Sequence, residues 1–84
     1  MSATGNFVIE LADYVWLIEF ADLSFKKRGK AIDVYHKFLT DKFGAFDPSE
    51  MAGWFDRAYE TVLEHDGRDW ATGKHAERLL SLVA

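Results

Sequence analysis

An apolar stretch at residues 7–25, FVIELADYVWLIEFADLSF, is the longest hydrophobic segment of the chain and constrains its fold more than any other feature. Wound at about 3.6 residues per turn, it forms a stripe with the i, i+4, i+7 spacing of a helix face directed at a core. The stripe contains Phe7, Leu11, Tyr14, Val15, Ile18 and Phe25. The stretch therefore predicts a helix around which the shorter segments are arranged.

The same helix has a second apolar face, roughly half a turn from the first. This second face consists of Ile9, Trp16, Phe20 and Leu23. A surface helix of a small monomer needs only one apolar face, so the second must be covered by the chain's own last helix, by a second copy or by another protein. The four residues are thus candidates for partner binding, and their burial in the chain's own core is the open alternative.

Two other structures compete for this stretch. A membrane span is excluded because the stretch contains four carboxylates, each of which costs a few kcal/mol in hydrocarbon. A β-hairpin over residues 7–20, turning near Ala12 and Asp13, agrees with the β-branched and aromatic content. The turn lacks glycine, however, and the Leu, Ala and Glu content favours a helix. The hairpin remains the alternative to the helix.

Helical periodicity and local stop signals divide the chain into four predicted helices. They cover residues 6–28, 30–43, 48–65 and, as a short last helix, 73–83. In this interpretation Asn6 caps the first helix, and Gly29 ends it just after the basic Lys26-Lys27-Arg28 turn. The fold class predicted is all-α, a small helical bundle that forms a single domain over residues 1–84.

The third helix has the clearest start signal, in Asp47-Pro48-Ser49-Glu50. Aspartate accepts hydrogen bonds from the first turn of a helix, and proline suits the first helical position because its missing N–H would have no partner there. Gly44 is the predicted stop of the second helix, and Gly67 that of the third. Residues 44–46 then form a tight connection between the two helices.

Composition bounds the class of protein. A chain of 84 residues buries only about 60–65% of its unfolded surface, while 49% hydrophobic and 15% aromatic residues exclude a disordered chain. The absence of cysteine excludes a disulfide framework and thiolate metal sites. No basic segment precedes the apolar stretch as in a signal peptide, so we expect a cytoplasmic protein.

Charge is distributed in blocks that are acidic, basic and acidic along the chain. The basic block makes Lys26, Lys27, Arg28 and Lys30 a second candidate contact, with a charged partner. A regulator that binds nucleic acid through Lys26–Lys30 is an alternative function. The isoelectric point of 5.2 argues against it, because phosphate neutralisation dominates non-specific affinity for nucleic acid.

Catalytic signatures are missing from the sequence. The three histidines do not pair at helical spacing, the serines lie outside any glycine-framed turn, and the glycines form no phosphate-binding loop. The run from Glu64 to Asp69 contains a His-Asp doublet, and a metal-dependent enzyme or subunit that uses this run is a further alternative. We expect no catalytic residue, no metal and no cofactor.

The sequence thus favours a non-catalytic protein–protein interaction module. We expect it to form a homodimer and to act sterically on another protein as a modulator, inhibitor or adaptor, including one encoded by a mobile element. No membrane association is expected. The residues do not name the partner.

Overall fold

The computed structural model describes residues 2–44 and 47–84, with side chains from residue 7 onward in the first range. Four α-helices lie in these ranges: α1 (Ser2–Val15), α2 (Phe25–Phe43), α3 (Pro48–Glu64) and α4 (Gly73–Ser81). A π-helical turn, Trp16–Phe20, continues α1, and a 3-10 helix, Gly67–Trp70, precedes α4. The predicted all-α class is confirmed, and the hairpin alternative for residues 7–20 is wrong.

The predicted first helix, residues 6–28, is wrong at both ends. Helix α1 begins at Ser2, so Asn6 lies inside it and is not its cap. The π-helical turn ends at Phe20, and residues 21–24 form a break in which Asp22 adopts a left-handed conformation with φ of 58°. Aspartate is one of the few non-glycine residues that visit this region readily. The chain therefore changes direction about eight residues earlier than predicted.

Helix α2 begins at this break, and its first turn contains the basic cluster. The Ser24 hydroxyl caps the helix by accepting a hydrogen bond from the Lys27 N–H at 3.3 Å. Gly29, predicted to end the first helix, lies inside α2. At the other end Gly44 stops α2 as predicted, with φ of 69° and an N–H that donates to the Thr40 carbonyl.

The predicted start of the third helix is confirmed. The Asp47 carboxylate accepts a bond from the Ser49 N–H at 3.0 Å, and Pro48 is the first helical residue. Helix α3 ends at Glu64, one residue before the predicted end, and Gly67 begins the 3-10 helix instead of stopping α3. Residues 45–46 of the predicted connection lie outside the described residues.

The core surrounds α1, as predicted. Leu11, Val15 and Leu17 are fully buried, and α1 packs most extensively on α3. Aromatic rings fill the space between α1, α2 and α3, where the Phe7 ring makes edge contacts with Phe43 of α2 and Trp54 of α3. Among the described helices, none combines the length and apolarity that crossing a membrane requires.

Candidate interaction surfaces

Trp16, the largest member of the second face of the first predicted helix, belongs to the chain's own core. Its side chain is only 5% exposed, and its indole Nε1 donates a hydrogen bond to the Arg68 carbonyl at 2.8 Å. A buried indole N–H usually finds such a partner. The 3-10 helix that contains Arg68 thus covers Trp16.

The other three residues of this face differ in exposure. Phe20 and Leu23 are half-buried against the core. The Phe20 ring contacts Tyr59, and a methyl group on Gly67 would lie 3.1 Å from its Cε1. Ile9 is 53% exposed. Trp16 therefore belongs to the chain's own core, and Phe20 and Leu23 belong to it in part. Ile9 is the residue of this face that is most accessible to a partner.

Phe25 was predicted on the core stripe, and this prediction is wrong. Because the chain breaks at residues 21–24, Phe25 becomes the first residue of α2 and is 92% exposed. The i, i+4, i+7 spacing places Gly29 and Ile32 on the same face of α2. Ile32 is 43% exposed, and a Cβ at Gly29 would meet no atom within 4 Å. An open apolar strip therefore runs along the first two turns of α2.

Three lysines lie in the same two turns of α2 as this strip. Lys26, Lys27 and Lys30 are exposed, and no ion pair joins them to any other described residue. Together with the strip they form a surface that consists of Phe25, Lys26, Lys27, Gly29, Lys30 and Ile32. We call it the Phe25 surface.

Arg28 has a different role from the three lysines. Its Nε donates to the Ile18 carbonyl at 3.1 Å, and its Nη2 pairs with the Glu19 carboxylate at 2.9 Å. These bonds connect α2 to the π-helical turn across the break. Of the four basic residues predicted as a charged contact, Arg28 is thus engaged within the chain, whereas Lys26, Lys27 and Lys30 point charge into solvent.

Helix stability does not explain the position of these lysines. The sequence interpretation placed the cluster in the last turn of a helix, where cations interact favourably with the helix dipole. The structure instead places Lys26 and Lys27 in the first turn of α2, where the same dipole disfavours positive charge. The lysines therefore weaken the start of α2 slightly.

A second charged surface lies on α3. Asp56, Glu60 and Glu64 are exposed at i, i+4, i+8 positions, and no ion pair joins them to other described residues. Leu63, 51% exposed, falls on the same side of the helix as Asp56 and Glu60 by the i, i+7 and i, i+3 spacings. We call these four residues the α3 acidic face.

A polar cluster that the sequence interpretation missed joins α1 to the C-terminal part of the chain. Asp13 Oδ1 accepts hydrogen bonds from Trp70 Nε1 and from His75 Nε2, both at 2.9 Å, and Arg78 Nη2 lies 4.0 Å from Oδ2. The partners are 57 and 62 residues away along the chain, so no local pattern indicates them. The cluster holds the 3-10 helix and α4 against α1.

The run from Glu64 to Asp69, the candidate for metal chemistry, forms the end of α3 and the turn into the 3-10 helix. His65 Nδ1 lies 2.9 Å from the Thr61 carbonyl, and its ring contacts Trp70 edge-on. Across residues 2–44 and 47–84, no three His, Cys, Asp or Glu side chains converge into a group suited to a metal ion. The run thus forms the end of α3 and the start of the 3-10 helix, and the His65 ring packs on the Trp70 indole.

A shallow groove of about 350 Å³ separates α1 from α2. It is lined by Tyr14, Val34, Lys37, Phe38, Asp41 and Lys42. Lys42 Nζ contacts the Glu10 carboxylate at 3.3 Å, and Lys37 Nζ pairs with the Asp41 carboxylate at 3.2 Å. Burial, reinforced by the nearby Glu10 and Asp13 carboxylates, raises the pKa of Tyr14. The charges around this groove satisfy one another.

Comparison with known proteins gives no match: no family model, no curated protein and no solved structure is significantly similar to this chain. The exposed surfaces are therefore the basis on which its function is argued.

Proposed function

We propose that this protein is a non-catalytic protein–protein interaction module that binds through the Phe25 surface. The observation that carries the proposal is the exposure of Phe25, 92% of which faces solvent at the start of α2. Aromatic side chains of this kind anchor interfaces when they insert into a pocket on a partner. The apolar strip continues along the helix through Gly29 to Ile32.

The unpaired lysines support the same conclusion. Lys26 and Lys27 oppose the dipole of α2, and none of Lys26, Lys27 and Lys30 has an ion-pair partner among the described residues, so the fold gains little from them. Charges that flank an apolar anchor steer a partner of opposite charge and fix its orientation. The proposed partner surface is therefore acidic and contains an apolar pocket.

The non-catalytic part of the proposal rests on the residue types available. The chain contains no cysteine, and the Asp13 carboxylate already accepts hydrogen bonds from Trp70 and His75. The action proposed is steric, as a modulator, inhibitor or adaptor in the cytoplasm.

Photo-crosslinking tests this proposal directly. A photoreactive phenylalanine such as p-benzoylphenylalanine replaces Phe25 in the full chain, and the same residue placed at Glu77, an exposed position on α4, provides the matched control. After irradiation in cells, we expect a discrete adduct with a polypeptide for position 25 and none for position 77. Mass spectrometry of the crosslinked peptides identifies the polypeptide.

Charge reversal tests whether the lysines contribute to the adduct at position 25. Lys26→Glu with Lys30→Glu, combined with the photoreactive residue, should remove the adduct, because the reversal places acids against an acidic partner. Adducts only with nucleic acid or lipid, or equal labelling at positions 25 and 77, would contradict a protein-binding function for this surface.

A further inference from the structure

Resting on the function proposed above, we infer that the occupant of the Phe25 surface is the α3 acidic face of a second copy of this chain. The basic and acidic surfaces are both exposed, both contain an apolar side chain, and neither is neutralised within the described chain. One protein thus presents two complementary halves of an interface.

Charge complementarity is the first argument. The ion pairs of the described residues involve Arg28, Lys37, Lys42, His75 and Arg78 as cations. None of these pairs joins a lysine of the Phe25 surface to an acid of α3. Within the described residues the two surfaces therefore do not neutralise each other, although they lie on consecutive helices.

Matching spacing is the second argument. Lys26 and Lys30 are separated by one helical turn, as are Glu60 and Glu64, and side chains at i, i+4 lie about 5–6 Å apart on a helix surface. Two antiparallel or parallel helices with these patterns bring both lysines opposite both glutamates. Leu63, 51% exposed, lies on the same side of α3 as Glu60, and Phe25 directly precedes Lys26 at the start of α2.

Apolar contact supplies the third argument. Surface ion pairs contribute little affinity by themselves, whereas an aromatic side chain removed from water contributes more. Phe25 and Ile32 of one copy meeting Leu63 of the other provide that burial, while the charges set the register. In a two-fold arrangement the same contact forms twice, which doubles the area buried by a small chain with a limited core.

A second copy fits this surface better than nucleic acid does. A polyanion attracted to Lys26 and Lys30 would also meet the repulsion of a chain with a net charge of −4. Two copies of the chain share that net charge, but the contact between them places a basic patch directly on an acidic one.

Charge reversal provides the decisive experiment. The basic-side variant is Lys26→Glu with Lys30→Glu, and the acidic-side variant is Glu60→Lys with Glu64→Lys. The absolute mass of each is measured by light scattering on a sizing column over a dilution series. We expect wild type at about twice the chain mass of 9.6 kDa and each variant alone as a monomer, with association weakened more than about tenfold.

Mixing the two variants restores complementarity on both sides. In the mixture, the glutamates introduced at positions 26 and 30 of one chain face the lysines introduced at positions 60 and 64 of the other. The unchanged acidic face of the first chain faces the unchanged lysines of the second. We therefore expect the mixture to return to the mass of a dimer. An adduct between position 25 and residues 56–64 in purified protein carrying the photoreactive residue is the second expected result.

A control variant separates this contact from a general effect of net charge. Asp69→Lys with Glu77→Lys makes the same change in charge at exposed positions outside the α3 acidic face. It should dimerise like wild type and should not rescue the basic-side variant. Helicity by circular dichroism establishes that each variant is folded.

The failure of this inference is distinguishable from the failure of the proposed function. A wild-type protein that stays monomeric at every concentration, or a mixture that stays monomeric, overturns self-association. If the photoreactive residue at position 25 then labels a different protein in cells, the interaction module stands with another partner. If it labels no protein, both proposals are overturned.

Discussion

The Tyr35 hydroxyl offers the sharpest test of the core. Tyr35 is 7% exposed, and its Oη is buried without a hydrogen-bond partner among the described residues. A buried hydroxyl that lacks a partner costs roughly 1–3 kcal/mol relative to water. Tyr35→Phe removes this group and keeps the ring, which contacts Tyr14 and Phe55. We expect the variant to be more stable than wild type by about 1 kcal/mol.

The expected change in melting temperature follows from the size of the chain. Unfolding entropy is about 2.1 cal/mol/K per residue near 60 °C, which makes 1 kcal/mol worth roughly 5–6 °C for a chain of 84 residues. Thermal unfolding at pH 7, followed by circular dichroism, measures the shift. Tyr59→Phe is the matched control, since Tyr59 is half-buried and its hydroxyl is not among the buried unpaired atoms.

Alkaline pH gives the same prediction a second readout. Burial raises the pKa of Tyr35 from 10.0 to about 12. Because the pKa of Tyr35 is higher in the folded state than in the unfolded state, its ionisation does not affect the free energy of unfolding below pH 10. The free energy of unfolding then falls as pH rises from 10 towards 12, where the unfolded chain has released the proton and the folded chain has not. Wild type should therefore lose up to roughly 2–3 kcal/mol more than Tyr35→Phe over this range. Because the other titrating groups are common to both proteins, their contributions cancel in the difference.

A loss of stability in Tyr35→Phe at pH 7 would refute this reasoning. It would mean that the hydroxyl makes a hydrogen bond in the folded protein and that its removal leaves the partner unpaired. Parallel stability curves for the two proteins from pH 10 to 12 would refute the assignment of the alkaline transition to Tyr35.

Further predictions concern the core and the helix ends. Trp16→Phe removes the indole hydrogen bond to the Arg68 carbonyl and should destabilise the isolated chain by about 2 kcal/mol in a denaturant titration; an unchanged midpoint would show that Trp16 does not stabilise the core. Gly67→Ala should lower the free energy of unfolding by about 2 kcal/mol, because φ of Gly67 is +54° and the Phe20 ring lies close to the added methyl group. Gly53→Ala, in an exposed part of α3, should raise the free energy of unfolding by about 0.8 kcal/mol. The same denaturant titration measures both changes. Asp47→Ala should lower the melting temperature at neutral pH, and the difference should vanish as pH falls well below 3.8, since hydrogen bonds from the Ser49 backbone N–H and hydroxyl lower the pKa of Asp47.

Local signals predicted the parts of the fold that local chemistry decides. The start of α3 at Asp47 and Pro48 depends on a cap and a proline within three residues, and both act as the sequence indicates. The stop of α2 at Gly44 depends on a single left-handed residue. Core positions such as Leu11 and Val15 follow from helical periodicity, which tertiary packing reinforces.

The break after the π-helical turn was not predictable in the same way. Periodicity continues through residues 21–24, and Ser24 is a common residue that acts as a cap only because the chain turns there. The turn is stabilised by partners distant in sequence, Trp16 to the Arg68 carbonyl and Arg28 to the Ile18 carbonyl. A sequence interpretation without those contacts joins two helices into one.

The residues of the Phe25 surface also divide into those that local sequence signals predict and those that they do not. The basic residues Lys26, Lys27 and Lys30 were identified from their charge alone, and the structure leaves them exposed. Phe25 was missed as a surface residue because the uninterrupted helix assigned it to the core. Ser24, a residue type preferred at the N-cap of a helix, was the available indication of its true position, to be weighed against Gly29 as a stop.

The break at residues 21–24 also decides which apolar side chains remain for a partner. It allows the 3-10 helix to cover Trp16, so the face that first suggested an interface is largely closed. The same break ends the first helical segment before Phe25, which then starts α2 with no element packed over it. One change of chain direction thus closes one apolar surface and opens another beside three lysines that form no ion pair with the described residues. Burial within the chain offers no reason for an aromatic residue at the start of α2, and the proposed binding function rests on this position.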